Sequence, residues 1–166
     1  MSELLTEIKK AYIHLIRLPL YWLLPILLLV GIAINGICEL LGADYSNNIY
    51  NTSRTTNEIF AVLILAPIIE SLIFQQIPIE VTQVITKKIF NKRYPIISSL
   101  ISSILFAVDH SYSVGYFIMT FFLGLILSVL YLTLRYRMPV FFAYLTLVLF
   151  HSVYNLSIIT INRILI

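Results

Sequence analysis

Six residues of this chain combine a polar or ionisable side chain with a strongly apolar neighbourhood: Glu39, Glu70, Asp109, His110, His151 and Asn155. An ionisable group within an apolar span costs roughly 2.5–3.5 kcal/mol on insertion scales, so each one needs a partner or a task. Glu70 has no basic residue within two helical turns on its own segment, so its partner must come from elsewhere in the chain. His110 and His151 are the imidazoles on offer. His151 and Asn155, in the stretch FHSVYN, are four residues apart and project from one helical face. Tyr144 and Asn162 extend that face by seven residues in each direction, and Phe106 and His110 repeat the four-residue spacing.

A carboxylate beside an imidazole, out of bulk water, holds and deprotonates one water molecule. Glu70 accepts the proton, and one imidazole orients the water or assists proton transfer to the leaving group. A second histidine with an asparagine supplies donors to a developing oxyanion. Such a set hydrolyses a peptide bond without a covalent nucleophile. The bland reading is that histidine and asparagine join membrane helices through hydrogen bonds worth about 0.6–2 kcal/mol. Glu39 reads as interfacial, Asp109 as facing water or capping a helix, and His14 as solvated.

The elements that must position these residues follow from composition. Of the 166 residues 60% are hydrophobic and 11% charged, where a soluble domain averages about 25% charged. Lipid is therefore the solvent for most of the chain, which reads as one integral membrane domain, 1–166. The 11 basic residues against 8 acidic ones flank apolar segments, which points to membrane topology and away from nucleic acid. The single cysteine, Cys38, excludes an internal disulfide and a cysteine-based metal cluster.

Residues 1–18 read as an amphipathic helix at the membrane surface, with Leu4, Leu5, Ile8, Tyr12, Leu15 and Ile16 on one face. This stretch is too polar for a signal peptide and no cleavage site follows, so the first apolar segment is expected to stay as a span. Five spans are expected: 18–41, one starting near Glu58 and passing through Glu70, 95–110, 114–134 and 139–161. The second is free to continue past Pro78, and the third is the shortest. Lys and Arg alternate by loop: Lys9, Lys10 and Arg17, then Arg54, then Lys87, Lys88, Lys92 and Arg93, then none, then Arg135 and Arg137, then Arg163. That pattern predicts an all-α polytopic bundle in the cell membrane with its N-terminus cytoplasmic. Along ideal helices Glu70 lies about 18 Å from the outer end of its span, His110 about 22 Å and His151 about 18 Å from the inner side. The three meet near one depth if the second helix runs on past Pro78.

Other intramembrane chemistries lack their residues. There is no Gly-x-Ser-Gly of the rhomboid type, no pair of membrane aspartates and no His-Glu-x-x-His. The Glu/His set retains the donor types for a metal, but the metal-free water mechanism is the preferred reading, with no cofactor.

In this order the residues resemble the CPBP family, the CAAX proteases and bacteriocin-processing enzymes also called Abi. Its pattern is Glu-Glu-x-x-x-Arg, then Phe-x-x-x-His, then His-x-x-x-Asn or Asp. The second motif stands as FAVDH, Phe106 to His110, and the third as HSVYN, His151 to Asn155. The helix between them carries Gly124, as in the family, and the likeness covers about residues 57–160. The first motif, ESLIFQ, keeps Glu70 but has Ser71 for the second glutamate and Gln75 for the arginine. Both members of an opposite-charge pair have become neutral, which strands no buried charge. The resemblance implies an intramembrane endopeptidase with Glu70 as general base and His110, His151 and Asn155 in its site. It also implies a peptide or protein substrate that enters from the membrane, in bacterial peptide processing or bacteriocin self-immunity. A non-catalytic immunity or peptide-binding protein of the same fold is the alternative, and a small transporter a distant third.

Overall fold

The computed structural model describes residues 2–41 and 56–165, with side chains from 10–41 and 56–163. The polar segment at 42–55, with its Asn-Thr-Ser tripeptide at 51–53, lies outside the described residues. Every regular element among the described residues is helical. In chain order these are α1 (Ser2–Arg17), α2 (Leu20–Leu40), α3 (Thr56–Phe90), α4 (Pro95–Asp109), α5 (Val114–Arg137) and α6 (Val140–Leu165).

The amphipathic N-terminal stretch forms α1, and its carbonyl end is fastened to the bundle. Arg137 Nη2 donates to the carbonyls of Leu15 and Leu18, at 2.8 and 2.7 Å, and to that of Ile16. A guanidinium at a helix C-terminus satisfies carbonyls that have no partner in the helix and faces the negative end of its dipole.

Four helices, α2, α3, α5 and α6, are long and apolar enough to cross a membrane. The expected third span, α4, has only 15 residues. It rises about 22 Å, short of the roughly 30 Å hydrocarbon layer. Of the five expected spans, four are thus long helices, and the third, expected to be the shortest, is α4.

The central helix is α5, which packs against α1, α2, α4 and α6. Its contact with α4 is close because both faces are made of small residues. A Cβ added at Gly124 would lie 3.0 Å from Ser103 Cα and 3.4 Å from Phe106 Cβ. Ser98, Ser99, Ser102 and Ser103 of α4 are all buried. Three of these hydroxyls bond within the bundle: Ser98 donates to the Pro95 carbonyl at 2.9 Å, Ser103 donates to the Ser99 carbonyl at 2.6 Å, and Ser128 of α5 donates to Ser102 Oγ at 2.9 Å. Small side chains of this kind let membrane helices approach closely.

Candidate active site

Glu70 stands on α3 between two wide turns. Residues 61–65 and 71–76 are π-helical, while Ala66–Glu70 between them is ordinary α-helix. In the π turns an N–H reaches five residues back: Ala66 to the Ala61 carbonyl and Ile77 to that of Leu72. Such turns are weak by themselves and persist where neighbours support them. Prolines follow each one, at 67 and 78, and remove N–H donors from the ladder.

Side chains from other helices take up the carbonyls of this segment. Asn155 Nδ2 donates to Val62 O at 3.0 Å and Tyr144 Oη to Ile68 O at 2.8 Å, both from α6. Ser102 Oγ of α4 donates to Phe74 O at 2.5 Å. Leaving a buried carbonyl unpaired costs about 1–3 kcal/mol, so the Asn155 and Ser102 contacts support the winding of the backbone that carries Glu70, while Tyr144 adds a second donor to a carbonyl that already accepts from the Ser71 N–H. The polar stripe expected on α6 does face the bundle, and two of its members, Tyr144 and Asn155, bind backbone.

The carboxylate faces both imidazoles. Glu70 Oε1 is 3.8 Å from His110 Nε2, and Oε2 is 3.6 Å from His151 Nε2. The glutamate and both histidines singled out from sequence thus meet at one point, from three helices. Both distances exceed a direct hydrogen bond. His151 is 2% exposed, whereas His110 and Glu70 keep 15% and 19% of their side-chain surface open.

The hydrogen bonds on the far side of each ring fix the tautomers. His110 Nδ1 lies 2.8 Å from the Phe106 carbonyl, which can only accept. The proton is therefore on Nδ1, and Nε2 turns its lone pair toward Glu70. His151 Nδ1 lies 3.5 Å from Ser71 Oγ, while its Nε2 faces the Glu70 carboxylate. The carboxylate calls for a proton on Nε2, so Nδ1 accepts from the Ser71 hydroxyl. The two histidines are then opposite in character, one an acceptor toward the site and the other a donor.

Phe106 supports both rings. It is 1% exposed, and its ring centroid lies 4.4 Å from that of His110 and 6.0 Å from that of His151. The Phe-x-x-x-His spacing thus supplies a carbonyl for Nδ1 and an apolar wall for two imidazoles. Asp109 is 55% exposed, with Oδ2 4.0 Å from His110 Nδ1, in keeping with its expected orientation toward water. Glu39 and His14 are exposed.

Ser71 and Gln75 have diverged in their situations. Both are fully buried. Ser71 touches His151, a contact that sequence reading misses because there Ser71 stands only for an absent glutamate. The Gln75 side-chain amide has no hydrogen-bond partner among the described residues at either its nitrogen or its oxygen. Among the described residues no group of three or more His, Cys, Asp or Glu side chains is arranged to hold a metal ion.

Residues 52–157 match the family model of the type II CAAX prenyl endopeptidase Rce1-like proteins. The match spans more than half of the chain and contains Glu70, His110, His151 and Asn155. The chain belongs to the Rce1-like family. No curated protein and no solved structure matches it. Membership makes this a CAAX-type membrane protease fold, and α1 with α2 lies outside the Rce1-like segment.

Proposed function

We propose that this protein is an intramembrane endopeptidase in which Glu70, His110 and His151 hydrolyse a peptide bond with one activated water. The supporting observation is the pair of acceptors, Glu70 Oε1 and His110 Nε2, held 3.8 Å apart with no donor of their own between them. A single water seated beside the pair, off the line that joins them, donates one hydrogen to each. Its remaining lone pair is then directed outward, toward a scissile carbonyl.

Attack forms the C–O bond and transfers the water's proton to Glu70. The carbonyl oxygen becomes an oxyanion, and the His151 Nε2–H is the donor nearest to receive it. Collapse of the tetrahedral species breaks the C–N bond, and the proton on Glu70 passes to the departing amine. The sum is one water consumed, one carboxylate and one amine released. The substrate is a membrane-borne peptide or protein in bacterial peptide processing or bacteriocin self-immunity. The basic ends of α3 and α5 face the cytoplasm.

Reconstituted protein and a library of membrane-anchored peptides test this. Glu70→Gln keeps the shape of the side chain but cannot take the proton. Its turnover is expected to fall about 10²–10⁴-fold while the protein stays folded in the bilayer, and undiminished turnover would overturn the reading. The neutral Ser71 and Gln75 favour one second reading, a peptide-binding immunity protein of the same fold. Peptide capture that survives Glu70→Gln, with no cleavage by either form, would select it.

A further inference from the structure

The first wide turn of α3 contains a specific defect and its repair. There the ladder runs five residues back, with the Ala66 N–H reaching the Ala61 carbonyl. In that register the next donor is residue 67 and the next acceptor is the Val62 carbonyl. Residue 67 is proline and has no N–H to give. Val62 is 7% exposed, so solvent does not reach its backbone freely. The missing bond is made by Asn155, 4% exposed, whose Nδ2 lies 3.0 Å from Val62 O.

We infer that Asn155 is a positioning residue: it supplies the hydrogen bond that Pro67 cannot, and so fixes the wide turn that leads into the helical segment carrying Glu70. Its amide nitrogen is engaged with the backbone of α3 rather than reserved for the reacting carbonyl. His151 and Asn155 then act on α3 from the same face of α6, one turn apart. His151 faces the carboxylate, and Asn155 holds the helix that presents it. The assignment departs from the sequence expectation that Asn155 donates to the oxyanion. Its mechanistic half rests on the peptidase reading, whereas its structural half does not.

A coupling between Pro67 and Asn155 is the test. Pro67→Ala restores the backbone N–H, after which the Asn155 side chain is no longer needed at Val62. Thermal unfolding in detergent is measured for four forms: the unaltered protein, Asn155→Leu, Pro67→Ala and the double variant. Asn155→Leu is expected to lower Tm in the unaltered background and to lower it by less than half as much when combined with Pro67→Ala. Equal losses in both backgrounds would overturn the inference.

Turnover gives a second readout that a stability role alone would not move. Asn155→Leu is expected to reduce kcat about tenfold with little change in KM, and Pro67→Ala is expected to recover most of that loss. A double variant as stable as Pro67→Ala yet as slow as Asn155→Leu would place Asn155 at the reacting carbonyl instead. If Asn155→Leu does not accumulate in membranes, accumulation of the double variant is the expected result and its absence is decisive against the inference. Coupled Tm values in a protein that cleaves nothing would overturn the peptidase reading and leave the Pro67–Asn155 pairing standing.

Discussion

α3 carries two carboxylates that face the interior, ten residues apart, and they are treated in opposite ways. Glu80 Oε1 accepts from Tyr131 Oη at 3.0 Å and from Arg135 Nε at 2.5 Å. Glu70 has two imidazole nitrogens at 3.6 and 3.8 Å and makes no direct hydrogen bond to either. Exposure does not explain the contrast. Glu80 is the more open of the two, at 36% against 19%, and yet the better bonded. A carboxylate whose lone pairs are committed to fixed donors behaves as a structural tie. One whose lone pairs make no direct hydrogen bond to a fixed donor is free to bind something mobile. The same helix provides both, and the spacing of the partners, not the residue type, separates them.

Three experiments sharpen or break this contrast, beyond those already described. The largest effect belongs to the donor on the loose side. His151→Phe removes the Nε2–H, and turnover is expected to fall about 10²–10³-fold, with His151→Gln retaining part of the rate through its amide. Equal rates for the unaltered and Phe forms would remove His151 from the chemistry. Next comes the tight side. Glu80→Gln leaves Arg135 without its charge partner, and stability in a denaturation series is expected to drop by about 1 kcal/mol, the value for a partly solvated pair. Turnover should stay within about twofold, since a 1.4 kcal/mol change in a barrier is about tenfold and Glu80 touches none of the reacting groups. A large loss of turnover at unchanged stability would show that the two carboxylates are not separate in function. The smallest effect belongs to Ser71→Ala. Loss of one neutral hydrogen bond is worth about 0.5–1.5 kcal/mol, so turnover should decline severalfold. Proton chemical shifts of the His151 ring should show a more mixed tautomer population, and an unchanged spectrum would dissociate Ser71 from His151.

The meeting of Glu70 with His110 and His151 was legible because burying charge in lipid leaves few explanations, and four-residue spacings survive any helix geometry. The continuation of α3 past Pro78 was open in the sequence, whose pattern allows the helix to run on into the basic segment at 87–93, and the helix does run to Phe90. The winding of α3 was not legible. A π turn leaves no periodic mark in sequence, and here it is supported by Asn155 and Ser102, neither of them on α3. The signal that was available, Pro67 and Pro78 inside one long apolar helix, marks missing donors without saying which side chain replaces them. The Glu80–Arg135 tie was hidden by its separation in sequence, since the partners stand 55 positions apart. Asn155 illustrates the same limit. Its place on the His151 face was clear, but its partner is a carbonyl, and carbonyls are identical along the chain. The shortness of α4 was legible as well, since Pro95 opens the segment and His110 closes it, and the helix runs Pro95–Asp109.

The short α4 has a consequence for the surrounding lipid. A helix of about 22 Å beside partners built for roughly 30 Å forces the nearby leaflet to dip or thin by several ångströms, at fractions of a kcal/mol per ångström. His110 follows directly on the C-terminal end of α4. Longer acyl chains should deepen that mismatch, and shorter chains relieve it.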